Sequence, residues 1–377
     1  MSQRKRSSRG RWLRLIILVG TFTGFAAAYR FALRYRERVG LPHRSPVVTS
    51  PREFGLDFEE VEIPAGDYHL AGWFVPAGPG VARAAGRRAS AGTPATSVGA
   101  AEQRPGIVVV HGWESNRGRT FAHVRYLHAA GFHCLVFDVR GHGDSPEETL
   151  PISVPEFAED TVAAARWLAA RPEVSSVGVL GHSMGGAGAI VAASREPAIE
   201  AVVSMSAPSD LVRMTRRTFE LAEMNIPRPI ATPMAMLTAA VLLAPRRHSV
   251  DDASALVAAS RYRGPLLLIH GEQDHGVPVA HVRLIEQAAT SSRRGPGEAP
   301  VDVLTLADFG HRWLYEDAEC RRRTAAFFAA ALGSPVSPEK AGELAAACVV
   351  ERPSDPVVGF GALPAPNTTP GGRAAAV

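Results

Sequence analysis

Residues 177–190 read VGVLGHSMGGAGAI. An apolar run ends in Gly181-His182-Ser183-Met184-Gly185 and continues through Gly186, Ala187 and Ala189. That is the composition of a short strand, a five-residue turn and a helix of small residues. A G-x-S-x-G pattern at such a junction is a nucleophile elbow, a strained turn that lifts a serine hydroxyl clear of the strand ends. Glycine at 181 and 185 removes side chains where the two backbones must nearly touch. The pattern alone is weak in a chain with 35 glycines, and a Gly-rich structural turn is the competing reading. The apolar run before it and the small-residue stretch after it give it weight. Ser183 is therefore the candidate nucleophile, and a serine-dependent hydrolase is expected.

Other strand-length apolar runs surround this one, at 107–110, 134–137, 201–205, 266–269 and 301–304. Helical spacing fills the gaps: Phe121, Val124 and Leu127 up to Gly131, then Val162, Ala165 and Leu168 up to Pro172. Strands alternating with helices predict a doubly wound, mainly parallel α/β sheet, with sites at the carboxyl ends of its strands. Residues 61–78 read as a hairpin turning at Gly66-Asp67. Residues 79–105, rich in Ala, Gly, Arg, Ser and Pro without periodicity, read as a flexible surface insertion. Residues 207–262 interrupt the alternation with Pro-broken helical segments carrying Met214, Met224, Met234 and Met236. They form either an amphipathic helical core or a lid over an apolar acyl pocket. The stretch after Gly333 (334–377) reads as a disordered tail.

A serine hydroxyl needs an adjacent base, itself oriented by a third group. In the order nucleophile, acid, base, the run at 266–270 opens into GEQDHGVP (271–278), placing Asp274 in the loop that leaves a strand. Glu272 is the alternative acid. The stretch VDVLTLADFGHRW (301–313) then places His311 in a loop at the next strand end, as the general base. His275 is expected to face solvent. Two backbone N–H groups must receive the developing negative charge. Met184 follows the nucleophile and supplies one. Trp113, in the His111-Gly112-Trp113 loop after the run at 107–110, is assigned the other, with His111 holding that loop.

The first 38 residues carry ten Lys/Arg against one Glu, and the other 339 carry 31 against 36 Asp/Glu. Basicity thus belongs to the N-terminus, and the body has no electrostatic footprint for nucleic acid. Arginine outnumbers lysine 39 to 2, which reads as coding from a GC-rich bacterial genome. Six basic residues precede an uncharged stretch at 15–29 that extends past Arg30 to 33. About nineteen residues suffice for a single-pass anchor of roughly residues 15–33. The basic excess before it predicts a cytoplasmic N-terminus and an extracytoplasmic catalytic body. A cleaved signal peptide ending at Ala26-Ala27-Ala28, with secretion, and a peripheral amphipathic helix are the alternatives. Cys134, Cys320 and Cys348 make no disulfide framework, and the histidines lack metal-site spacing, so neither metal nor cofactor is expected.

Taken together, IVVVHGWESNRG, AAGFHCLVFDVRGHGDS, GVLGHSMGG, IHGEQDHGVP and GHRW resemble the α/β-hydrolase superfamily. Their spacing is similar to that of its serine esterase, lysophospholipase and aminopeptidase-like branches, over residues 52–332 apart from the insertion at 79–105 and most of 207–262. The resemblance implies a Ser183–Asp274–His311 triad with Trp113 and Met184 as oxyanion donors; Gly112, His182, Gly181 and Gly185 read as framework, and a small-molecule or lipid-like acyl substrate is expected, which the resemblance does not fix. It also implies that 138–145 is a structural turn bent at Gly141 and Gly143. An esterase, a peptidase or an acyltransferase on one triad, and a non-catalytic membrane-tethered binding protein, all remain compatible with these residues.

Overall fold

The computed structural model describes residues 2–78, 103–293, 298–350 and 352. Eight strands form one sheet: β1 (Glu59–Ala65), β2 (Tyr68–Val75), β3 (Arg104–Val110), β4 (His133–Phe137), β5 (Val174–His182), β6 (Ile199–Met205), β7 (Leu266–Gly271) and β8 (Val301–Leu306). Their order is β1-β2-β4-β3-β5-β6-β7-β8. β4, β3, β5, β6, β7 and β8 pair in parallel, and β2 runs against both its neighbours. The chain builds outward from β3 to β4, then crosses back to β5 and builds the other way. The strand order therefore reverses between β3 and β5, where such sheets open a crevice.

The helices are α1 (Ser2–Val39), α2 (Phe121–Ala129), α3 (Val154–Ala169), α4 (Met184–Ala193), α5 (Leu211–Leu221), α6 (Arg228–Leu243), α7 (Ala255–Arg261), α8 (Ala280–Ser291), α9 (Ala318–Ala331) and α10 (Pro338–Ala347). Side chains alternate across β3: Val108 and Val110 join the core under α3, α4, α7 and α8, while Ile107 and Val109 join the one under α2, α9 and α10. Burial on both faces is why the strands read as unbroken apolar runs and not as alternating ones.

The turn at 138–145 is built around a buried charge. Asp138 accepts the backbone N–H groups of Arg117 (2.6 Å) and Asp144 (2.9 Å) and pairs with the Arg117 guanidinium. Gly141 (φ +74°) and Gly143 (φ +46°) make the bend, and a Cβ on Gly143 would collide with the Asp138 carboxylate. Burial pushes the Asp138 carboxyl up, against the opposing pull of Arg117. Arg117→Met would strand a buried carboxylate, and it is expected to cost about 3–5 kcal/mol. A urea unfolding midpoint equal to the wild-type value would contradict this role for the pair.

Four histidines, His111, His123, His142 and His281, are held below the ordinary imidazole range by burial, His123 at about 3 and His142 and His281 at about 4. An unfolded histidine takes up its proton near pH 6.5 and these native ones do not. Their contribution to stability is therefore complete above about pH 6.5 and is lost as pH falls toward the native values. For one such group the slope reaches about 1.4 kcal/mol per pH unit. The urea midpoint of His123→Phe should depend less steeply on pH between 7 and 5 than that of the wild type. An equal slope would mean that His123 is not held neutral.

Two sequence boundaries, those of the tail and of the surface insertion, need correction, and the expected N-terminal anchor is in part packed on the body. α1 is one 38-residue helix whose second half packs on α6, with Ala32 fully buried and Phe31 and Tyr35 edge-on to Phe219 at 5.6 and 6.1 Å. Residues 18–39 are not apolar enough to qualify as a span; among the described residues only Arg228–Arg246 is, and a third of it is buried against the body. The tail after Gly333 is ordered as far as α10, capped by Ser337 and packed on α9, with Arg321 donating to the carbonyls of Ala345 (3.0 Å) and Ala346 (2.8 Å). The surface insertion ends before Arg104, which already belongs to β3; residues 79–102, like 353–377, lie outside the described residues.

Candidate active site

β5 runs directly into α4 at Ser183, whose backbone sits at φ +56°, ψ −121°. Few non-glycine residues adopt a positive φ, and the cost is borne by the packing around it. A Cβ on Gly181 would strike the Gly185 carbonyl, and one on Gly185 would strike the carbonyls of His111 and Val110. The glycines of the motif therefore allow α4 to press against the ends of both β5 and β3. Ser183 N–H donates to the Met205 carbonyl (2.8 Å), which ties the turn to β6 as well.

Asp274 and His311 arrive from the loops that leave the neighbouring strands β7 and β8. Gln273 N–H donates to the Phe309 carbonyl and Glu272 N–H to the Leu306 carbonyl, both at 2.9 Å, so the loops leaving β7 and β8 are stitched together. Ser183 Oγ lies 2.9 Å from His311 Nε2, and His311 Nδ1 lies 2.6 Å from Asp274 Oδ2. Since a carboxylate only accepts, Nδ1 carries the proton and Nε2 is left to accept from the serine. Burial pushes the Asp274 carboxyl up. Hydrogen bonding from His270 and His311 and from the Val277 N–H outweighs it and holds Asp274 below the ordinary carboxylate range. Asp274 Oδ1 accepts the N–H groups of Gly276 (3.0 Å) and Val277 (2.8 Å), so it is charged, buried and immobile. Glu272 and His275 are exposed; the His275 carbonyl accepts from Arg217 at 2.6 Å.

Two further histidines hold the frame. His182 Nε2 donates to the His311 carbonyl at 2.7 Å, and burial together with the neighbouring His311 lowers its pKa to about 3, so it stays neutral. His111, fully buried, donates from Nδ1 to the Gly112 carbonyl (2.7 Å) and accepts the Val139 N–H at Nε2 (3.0 Å). It fixes the Gly112-Trp113 loop beside the serine: a Cβ on Gly112 would sit 3.1 Å from Ser183 Cβ. Among the described residues, no intramolecular hydrogen bond engages the backbone N–H of Trp113 or of Met184.

Two cavities meet at Ser183 and His311. The larger, about 440 Å³, is mostly apolar and is lined by Ile152, Val154, Leu211, Met214 and Leu242. The smaller, about 90 Å³, holds Arg119, His123 and Arg312. Of the four methionines in 207–262, Met214 lines the larger cavity and Met236 faces outward.

A model of the serine aminopeptidase S33 hydrolase family matches residues 101–244, which include Ser183 but stop short of Asp274 and His311. The fold is similar to that of the Pyrococcus furiosus esterase Pf2001 (TM-score 0.57, 22% identity, 78% of this chain and 98% of that one). The chain therefore has an α/β-hydrolase fold. The chain is also 28% identical over 230 residues to human protein ABHD12B, covering 54% of this chain. That match spans 60% of the human protein, less than two thirds of its length. It is 27% identical over 212 residues to a monoacylglycerol lipase of Mycolicibacterium smegmatis, covering 49% of this chain and 75% of the lipase.

Two contributions to the site escaped sequence reasoning. His270, at the end of β7, donates to the Val277 carbonyl (2.8 Å) and approaches Asp274 Oδ2 at 3.4 Å, buttressing the acid loop. A histidine closing an apolar strand was the available signal. Tyr35 and Val39 of α1 line the larger cavity, and no local pattern pointed there.

Proposed function

We propose that this hydrolase cleaves carboxylic esters through an acyl-enzyme on Ser183. The observation that carries the reading is the unbroken hydrogen-bonded chain from Ser183 Oγ through His311 to a buried, charged Asp274. His311 Nε2 takes the serine proton as Oγ attacks the acyl carbonyl, and Asp274 stabilises the resulting imidazolium. The N–H groups of Trp113 and Met184 receive the oxyanion. The alcohol departs with the proton held by His311. Water, deprotonated in turn by His311, then releases the acid.

The larger cavity is mostly apolar, which favours an acyl chain over a polar peptide. The esterase and the monoacylglycerol lipase named above point the same way by likeness. The helical segment 207–262 acts in this reading as a lid over the acyl chain. We also propose that the stretch of α1 carrying the exposed Trp12, Leu15, Leu18, Phe22 and Phe25 tethers the enzyme to a membrane with its basic N-terminus cytoplasmic. A panel of p-nitrophenyl acyl esters and aminoacyl p-nitroanilides, offered to the full chain, tests the reaction class. Ester turnover that exceeds amide turnover is expected; amide turnover alone would replace the esterase by a peptidase.

A further inference from the structure

The N-terminal helix reaches the substrate cavity. Tyr35 and Val39, one turn apart on one face of α1, line the same 440 Å³ space as Ser183 and His311. They are held there firmly. Tyr35 stacks edge-on against Phe219 of α5, α1 packs along α6, and the Gly40 carbonyl accepts the Ile152 N–H at 2.8 Å. A Cβ on Gly40 would crowd Pro151 at 3.1 Å, so the exit of α1 is pressed against the loop that supplies Ile152 to the cavity and leads into Val154 of α3. Leu211 and Met214 of α5 and Leu242 of α6 line the same space. All of α1 lies outside the region matched by the family model, residues 101–244.

From this placement we infer that α1 is part of the acyl-binding wall, and that Tyr35 and Val39 set which acyl chain lengths the enzyme accepts. The inference rests on the ester-cleaving reading above. An acyl chain bound in the larger cavity must lie against whatever closes its sides, and on this side that is α1. A bulkier residue at 39 takes up volume that a long chain needs, and a smaller one at 35 returns it. Chain-length discrimination in an apolar pocket is worth roughly tenfold or more for misfits of this kind.

The test uses the full chain in detergent micelles, with p-nitrophenyl acetate, octanoate and dodecanoate. The readout is the ratio of kcat/KM for dodecanoate to that for acetate. Val39→Trp should lower this ratio at least about tenfold, and Tyr35→Ala should raise it. A general loss of folding lowers both rates and cannot raise the ratio, so the second variant separates a wall from a structural prop. Ratios unchanged in both variants, with wild-type esters still cleaved, would overturn the inference while leaving the esterase intact. A wild-type chain that cleaves no ester would remove the functional reading, and this inference with it.

Discussion

Ser183→Ala should leave the protein folded and lower kcat/KM for its esters by on the order of 10⁴-fold or more. The two halves of that expectation have separate grounds. The hydroxyl makes one hydrogen bond, to His311 Nε2, so its removal costs about 1 kcal/mol of stability at most. The strained backbone at Ser183 is imposed by the close approach of α4 to β5 and β3, in which Gly181 and Gly185 are decisive and the hydroxyl takes no part. Without Oγ no acyl-enzyme forms. What survives is the oxyanion site and the cavity acting on water. A variant within tenfold of wild type, with an unchanged thermal midpoint, would mean that another group attacks the substrate.

Asp274→Asn is the second large effect, and it acts through a proton. Oδ1 must keep accepting from the N–H groups of Gly276 and Val277, which turns the new amide nitrogen toward His311 Nδ1. Nδ1 then has to accept, the imidazole proton moves to Nε2, and the ring faces Ser183 as a donor. A base in the wrong tautomer cannot take the serine proton. Loss on the order of 10⁴-fold in kcat is expected, with KM little changed because Asp274 does not line the cavity. Purified variant and wild type compared at pH 8 would check it. A loss below about tenfold would shift the orienting role to another carboxylate. Glu272 is a poor heir, being exposed.

Much of this site could be read before any coordinates, and the reasons are local. The elbow announces itself because glycine, serine and glycine must sit at fixed offsets between a strand and a helix. Asp274 and His311 were legible because each follows an apolar run that became β7 or β8. What stayed hidden depends on distant packing. Nothing in residues 35–39 tells that α5 will offer Phe219 to Tyr35, or that the face carrying Val39 closes a cavity whose other lining residues run from Trp113 to Arg312. α10 was missed for a different reason. Its alanines resemble low-complexity sequence, yet Ser337 and Pro338 are ordinary helix-start signals, and Ala341 and Ala345 are small because they pack on α9. A composition-based reading outweighed a capping signal that was present.

Treating the full chain with a fluorophosphonate and mapping the adduct by peptide mass spectrometry tests most directly whether His311 and Asp274 make Ser183 a nucleophile. One adduct is expected, on Ser183, absent in Ser183→Ala and formed far more slowly in Asp274→Asn. Labelling at another residue, or none in a folded wild-type protein, would contradict it.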